Sequence, residues 1–113
     1  MRTVRDEKNY QEWKKKNDKN YCPFCNKDLV RKEYKYWLIL ENRFPYTEIA
    51  SKHYMLAPKR HIKKEDLTED EKKEFEFIEF QLEKSAEFSC IIHNFPHKQS
   101  IPQHLHFHVV KYK

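Results

Sequence analysis

Hydrophobic and polar positions alternate with two different periods along this chain, and the switch between them outlines the fold. Tyr36-Trp37-Leu38-Ile39-Leu40 is aromatic and apolar between charged flanks, which predicts a β-strand. A further strand is expected around Leu29 to Lys35, and another from Tyr54 to Ala57, ended by Pro58. Thr68 followed by Glu71 has the form of a capping box and opens a helix from 69 to about 86. Phe75, Ile78 and Leu82 then fall at helical spacing and mark its buried stripe. Residues 88 to 92 and 104 to 110 return to strand character. At the other end, Tyr10 and Trp13 lie three apart among charges in residues 5 to 17, so a short N-terminal helix with a thin apolar face is expected there. Strands, then a helix, then more strands predict an α+β domain with an antiparallel sheet, a helix packed on it and a short N-terminal helix.

The last strand carries the most unusual pattern. His104-Leu105-His106-Phe107-His108-Val109-Val110 alternates three imidazoles with apolar residues. On a strand, Leu105, Phe107 and Val109 share one face and the three histidines the other. A row of imidazoles does little for a core but suits a metal or a phosphate. A neutral imidazole is a good nucleophile near pH 7, and a protonated neighbour is a good phosphate donor. Phosphoryl and nucleotidyl transfer need both, one in line with the leaving group and the other around the phosphate oxygens. Two residues apart on one face, such rings stand about 6 to 7 Å apart, close enough to touch one phosphate.

Cysteine usage adds a second chemistry. Cys22-Pro23-Phe24-Cys25 offers two thiolates at the spacing of a zinc knuckle, with Pro23 fixing the backbone. Two ordinary thiols in a turn are the alternative. Three cysteines in 113 residues make no disulfide framework, which fits a reducing, cytoplasmic setting. No apolar run approaches a membrane span, and the polar, charged N-terminus has no signal-peptide pattern. A net charge of +5 favours an anionic partner such as a nucleotide or nucleic acid, although lysine clusters at 14 to 16 and 63 to 64 also serve as solvated surface. The chain has no glycine, so its turns must use Asn, Asp, Pro and Lys.

Taken together these motifs resemble the histidine triad (HIT) superfamily of nucleotide hydrolases and transferases. The alternating histidine run is similar to the triad signature. Glu41-Asn42-Arg43-Phe44-Pro45-Tyr46-Thr47 and the segment from His53 to Pro58-Lys59-Arg60-His61 resemble the stretch N-x-x-P-Y-T … H-x-L-x-x-P-K-R-H. Cys22-x-Phe24-Cys25 resembles the start of the zinc-binding members. The matches run in the family's order over residues 22 to 110. The resemblance implies a single HIT-like domain over 1–113, with residues 1–20 as a helical extension and 22–110 as the core.

It also implies roles. His106, the middle histidine, would be the nucleophile that attacks an α-phosphate and forms a nucleotidyl-histidine, later hydrolysed by water. His108 would donate to a phosphate oxygen, and His53 would support the phosphate and leaving group. Asn42, Gln99, Ser100 and His104 match substrate-binding positions, Asn42 near the ribose. His61 and His104 would join Cys22 and Cys25 as ligands of a structural zinc, closed and tetrahedral. The substrate would be a nucleoside monophosphate conjugate or dinucleoside polyphosphate, and the assembly a homodimer, for which seven Tyr and eight Phe supply interface material.

One segment departs from the family. Asn94-Phe95-Pro96-His97-Lys98-Gln99-Ser100-Ile101-Pro102-Gln103 lacks the usual glycines and sets Gln99-Ser100 one residue further upstream of the triad. Either Lys98 or Gln103 takes over assistance of the leaving group, or activity falls. The contrasting function is a zinc-stabilised module that binds nucleotides or RNA without turnover.

Overall fold

The structure is a computed structural model that describes residues 22–42, 45, 47–95 and 104–113. The expected helix at 5 to 17 lies outside these, as do Gln99 and Ser100. Five strands form one antiparallel sheet: β1 Val30–Glu33, β2 Trp37–Glu41, β3 Ala50–Pro58, β4 Cys90–Ile92 and β5 Phe107–Tyr112, in the order β1-β2-β3-β5-β4. Between β3 and β4 runs one α-helix, α1 Glu69–Ser85. The expected α+β class with an antiparallel sheet and a helix is what the described residues form.

The period of two sorts the sheet into faces. Trp37, Ile39, Leu56, Leu105, Phe107 and Val109 pack with Ile78 of α1 in one cluster, joined by Phe75 and Leu82 from the same helix. Cys22, Phe24, Leu29, Leu40, Met55 and Ala57 form a second cluster from alternate strand positions. Thus α1 covers one face, while the short 3₁₀ turns Pro23–Cys25 and Lys27–Leu29 cover part of the other. Phe75 stacks obliquely on both Trp37 and Phe107, with ring centroids 5.1 and 4.7 Å apart. Such pairs add to the apolar area that is removed from water.

The helix begins as its sequence dictates. Thr68 Oγ1 accepts from the Glu71 amide at 3.2 Å, and Glu71 Oε1 accepts from the Thr68 amide at 2.9 Å, which completes the capping box. It ends on Ala86 in the left-handed region, φ 56° and ψ 14°. Glycine is the ordinary choice there, because a Cβ at positive φ crowds the backbone. Ala86→Gly is therefore expected to raise stability by about 0.5–1 kcal/mol, read as a higher urea midpoint.

Several strand boundaries differ from expectation, by up to four residues. β3 begins at Ala50, four residues before the predicted start, and β4 starts at Cys90 rather than 88. More consequentially, β5 starts at Phe107, so of the three histidines only His108 lies on the strand proper. Long-range bonds account for this. The Leu105 amide donates to Ile62 O at 2.7 Å, and the His104 ring to Pro58 O at 2.9 Å, pulling the segment off the sheet ladder toward the turn after β3. The alternation of side chains survives nonetheless, since Leu105 packs in the same cluster as Phe107 and Val109.

Candidate functional site

Register builds the site. In the β3–β5 pairing, His53 lies opposite Val110 and Met55 opposite His108. His53 shares a face with Met55 and Ala57, away from α1, and His108 meets it there. Their rings approach with His53 Nε2 2.8 Å from His108 Nδ1. The Asn42 side-chain amide, just beyond β2, lies 3.2 Å from His53 Nε2 and 3.4 Å from Nδ1. The Asn94 amide, just beyond β4, lies 3.3 Å from His108 Nε2. An amide N–H donates, so His108 accepts at Nε2 and its Nδ1–H points to His53. Sequence reasoning gave Asn94 no role. The signal was its place two residues past Ile92, which is registered with His108.

His106 stands beside this pair, its ring centroid 5.7 Å from that of His108. Its Nδ1 lies 2.9 Å from the His104 carbonyl oxygen, which can only accept. Nδ1 therefore carries the proton and Nε2 the lone pair. Phe24 lies nearly flat against this ring, stacking on His106 at 4.4 Å between centroids and 22° between planes.

On the same face, Cys22, Cys25, His61 and His104 bring their ligand atoms within 4.8 Å of one another. The Cys25 amide closes the knuckle onto Cys22 O at 3.1 Å. His104 Nδ1 lies 3.4 Å from Cys22 Sγ, 3.5 Å from Cys25 Sγ and 3.3 Å from His61 Nδ1, and Cys25 Sγ lies 3.3 Å from His61 Nδ1. Around a tetrahedral zinc, ligand edges are about 3.5 Å between sulfur and nitrogen and about 3.3 Å between nitrogens. The donor set fits such an ion. His104 also meets the usual requirement on its second nitrogen, since Nε2–H donates to Pro58 O and leaves the Nδ1 lone pair toward the cluster.

Electrostatics agree with a ligand role. Burial, together with the neighbouring His61, holds the His104 pKa below its ordinary value against the raising effect of the Pro58 carbonyl, which favours the neutral, metal-binding ring. Burial also pushes the Cys22 thiol up to about 12, with the Cys25 sulfur adding to it. A dication between the two sulfurs reverses that preference and releases protons on binding. His104 thus has one nitrogen in the cluster and the other on Pro58. Among the described residues the structure therefore brings together Cys22, Cys25, His61 and His104 in one group and Asn42, His53, His106 and His108 in another. His93, which had no assigned role, packs half-buried against Phe107 at 4.8 Å between centroids.

The turn that presents His61 is tied to the helix. Arg60 donates through Nε and Nη2 to the two carboxylate oxygens of Glu71, at 3.1 and 2.6 Å, and Nη2 also donates to Asp66 O. Glu71 is 2% exposed, so its charge depends on this pairing. The Arg60 guanidinium, with help from Thr68 and against the effect of burial, lowers the Glu71 pKa from an ordinary 4.5 to about 2. A depressed carboxyl stabilises fully above pH 4.5, and the contribution disappears as pH falls toward 2. A shift of this size corresponds to roughly 3 kcal/mol, and screening at the half-exposed Arg60 reduces it to about 2. Glu71→Gln keeps the cap but not the charge. Its stability deficit against wild type should be about 2 kcal/mol at pH 6 and should close between pH 4.5 and 2 in paired urea titrations.

The comparison with solved structures bears on this arrangement. A HIT family hydrolase from Legionella pneumophila Philadelphia 1 superposes with a TM-score of 0.58, covering 80% of this chain and 91% of that one, at 22% sequence identity. The chain has the fold of a HIT family hydrolase. No family model matches the sequence, and no curated protein does. In the HIT-like sheet described here, both histidine groups lie on the face that α1 leaves uncovered. No helix among the described residues is long and apolar enough to cross a membrane.

Proposed function

We propose that this protein is a HIT-type nucleotide hydrolase or nucleotidyl transferase that works through a nucleotidyl-histidine. The observation that carries the reading is the His106 tautomer: the His104 carbonyl fixes the proton on Nδ1 and the lone pair on Nε2. In the proposed reaction Nε2 attacks the α-phosphorus of a nucleoside monophosphate conjugate or dinucleoside polyphosphate. The N–P bond forms as the bond to the leaving group breaks, and the leaving group departs with the electron pair and takes up a proton. Water then attacks the same phosphorus, the N–P bond breaks, and the mononucleotide is released. Once protonated, His108 would keep its Nδ1–H on His53 and turn an Nε2–H from Asn94 to a phosphate oxygen, with His53 and Asn42 supporting that end of the site. Gln99 and Ser100 complete the proposed substrate set.

Cys22, Cys25, His61 and His104 would hold zinc in a structural capacity, the four donors leaving no open position for chemistry. The fold of the Legionella protein supports an enzyme. A binding module without turnover shares the metal site but has no use for the ordered tautomer of His106. Turnover of a fluorogenic adenosine phosphoramidate tests between them: release of fluorophore with AMP is expected, whereas saturable binding with no release for hours supports the module. A homodimer belongs to the same proposal. Phe77 and Phe80 are more than half exposed on α1 and β4 is the last strand in the sheet order, so sedimentation should give twice the 14.1 kDa chain mass.

A further inference from the structure

The geometry points to Phe24 as a positioning residue, whose ring sets the plane of the His106 imidazole and thereby links the metal knuckle to the nucleophile. This rests on the reading of His106 as nucleophile. Two contacts bear directly on how that ring sits. One is the bond from Nδ1 to the His104 carbonyl, which fixes a single point on its edge. A ring held at one edge can still swing about the bond. The other contact removes that freedom: Phe24 lies nearly parallel to the imidazole at 4.4 Å between centroids, and also meets His104 edge-on at 5.6 Å.

Phe24 is itself fixed. It lies between the two knuckle cysteines in the turn Pro23–Cys25, is 6% exposed, and packs with Leu29, Leu40, Met55 and Ala57. These two contacts on His106 therefore come from the knuckle or from a residue adjoining it in the same four-donor cluster. An ion in the cluster would tie residues 22 to 25 to His104, across about 80 residues of sequence, and so hold the flat face of Phe24 against His106. A ligating role for the cysteines alone needs no aromatic ring between them. In-line attack is sensitive to a misplaced nucleophile, so orienting one ring plane is a sufficient use for the stacking.

The test uses the metal-loaded protein and its Phe24→Leu and Phe24→Tyr variants. Zinc per chain is measured by mass spectrometry, kcat and KM with the adenosine phosphoramidate, and the imidazole tautomers by ¹⁵N NMR. Phe24→Leu should keep its metal, lose about tenfold in kcat with little change in KM, and show His106 as a tautomer mixture. Phe24→Tyr, which keeps the flat face, should restore the rate and the single Nδ1–H form. If Phe24→Leu does not fold, Phe24→Met, of similar bulk and without a plane, is read in the same way. Wild-type kcat and tautomer in the leucine variant would overturn the inference. So would loss of metal in the leucine and tyrosine variants alike, or a rise in KM alone, which would make Phe24 a knuckle-packing or substrate-contacting residue. If wild type turns over nothing, the proposed function fails while the tautomer spectra still decide the role of Phe24: a mixture in the leucine variant supports it, and an unchanged spectrum removes it.

Discussion

His106→Ala is expected to abolish the covalent nucleotidyl adduct, while His108→Ala and His53→Ala reduce its rate of formation by about 10²–10³-fold. The difference follows from what each nitrogen already does. His104 cannot attack phosphorus, because Nε2 donates to Pro58 and Nδ1 faces the cysteines. His108 accepts from Asn94 at Nε2 and donates to His53 from Nδ1, so neither nitrogen is set to attack phosphorus. His106 has its proton assigned to Nδ1 by a backbone carbonyl, which leaves the ring lone pair on Nε2. Removing a donor weakens stabilisation of the transition state, but removing the nucleophile removes the covalent route. Intact mass after incubation with an adenylated substrate is the readout. An adduct that persists in His106→Ala, or that maps to His108 in wild type, would sink the assignment.

The second large effect concerns the metal. Replacing both Cys22 and Cys25 with serine is expected to bring zinc from one per chain to near zero and to lower Tm by roughly 20 °C. The site joins segments far apart in sequence, residues 22 to 25 with 61 and 104, so the free energy of binding is also free energy of folding. Cys22 and Phe24 are buried in the cluster beneath the knuckle, and that packing loosens when the four donors separate. Metal analysis with a thermal melt checks both halves. A doubly substituted protein that melts with wild type, or wild type purified with well under one metal per chain, would count against a structural ion.

Much of this was legible because it depends on local pattern. Alternation from Leu105 to Val109 gave the two faces of the last strand, and Thr68 with Glu71 gave the helix start to the residue. The two cysteines of the Cys-x-x-Cys spacing and the histidines picked out by family resemblance are brought within 4.8 Å of one another. What could not be read depends on contacts between distant segments. The late start of β5 comes from bonds to Pro58 and Ile62, over 40 residues earlier. The Arg60–Glu71 fork turns a residue predicted only as a cap into a buried anion tied to the metal turn. Phe24 reads in sequence only as the aromatic of the Cys-x-Phe-Cys resemblance, and only the fold lays it on His106.

The division of the sheet into a helix-covered face and a histidine face also restricts how this gene can change. From Leu105 to Val109 each position that faces α1 is followed by one that faces the site. A single-codon insertion or deletion in this stretch would exchange the two sets at once, turning imidazoles under the helix and apolar side chains toward the site. Substitutions can be tested one at a time by selection here, but length changes cannot, because fold and chemistry are written in the same reading register. Variation in length among functional descendants should therefore collect outside this stretch.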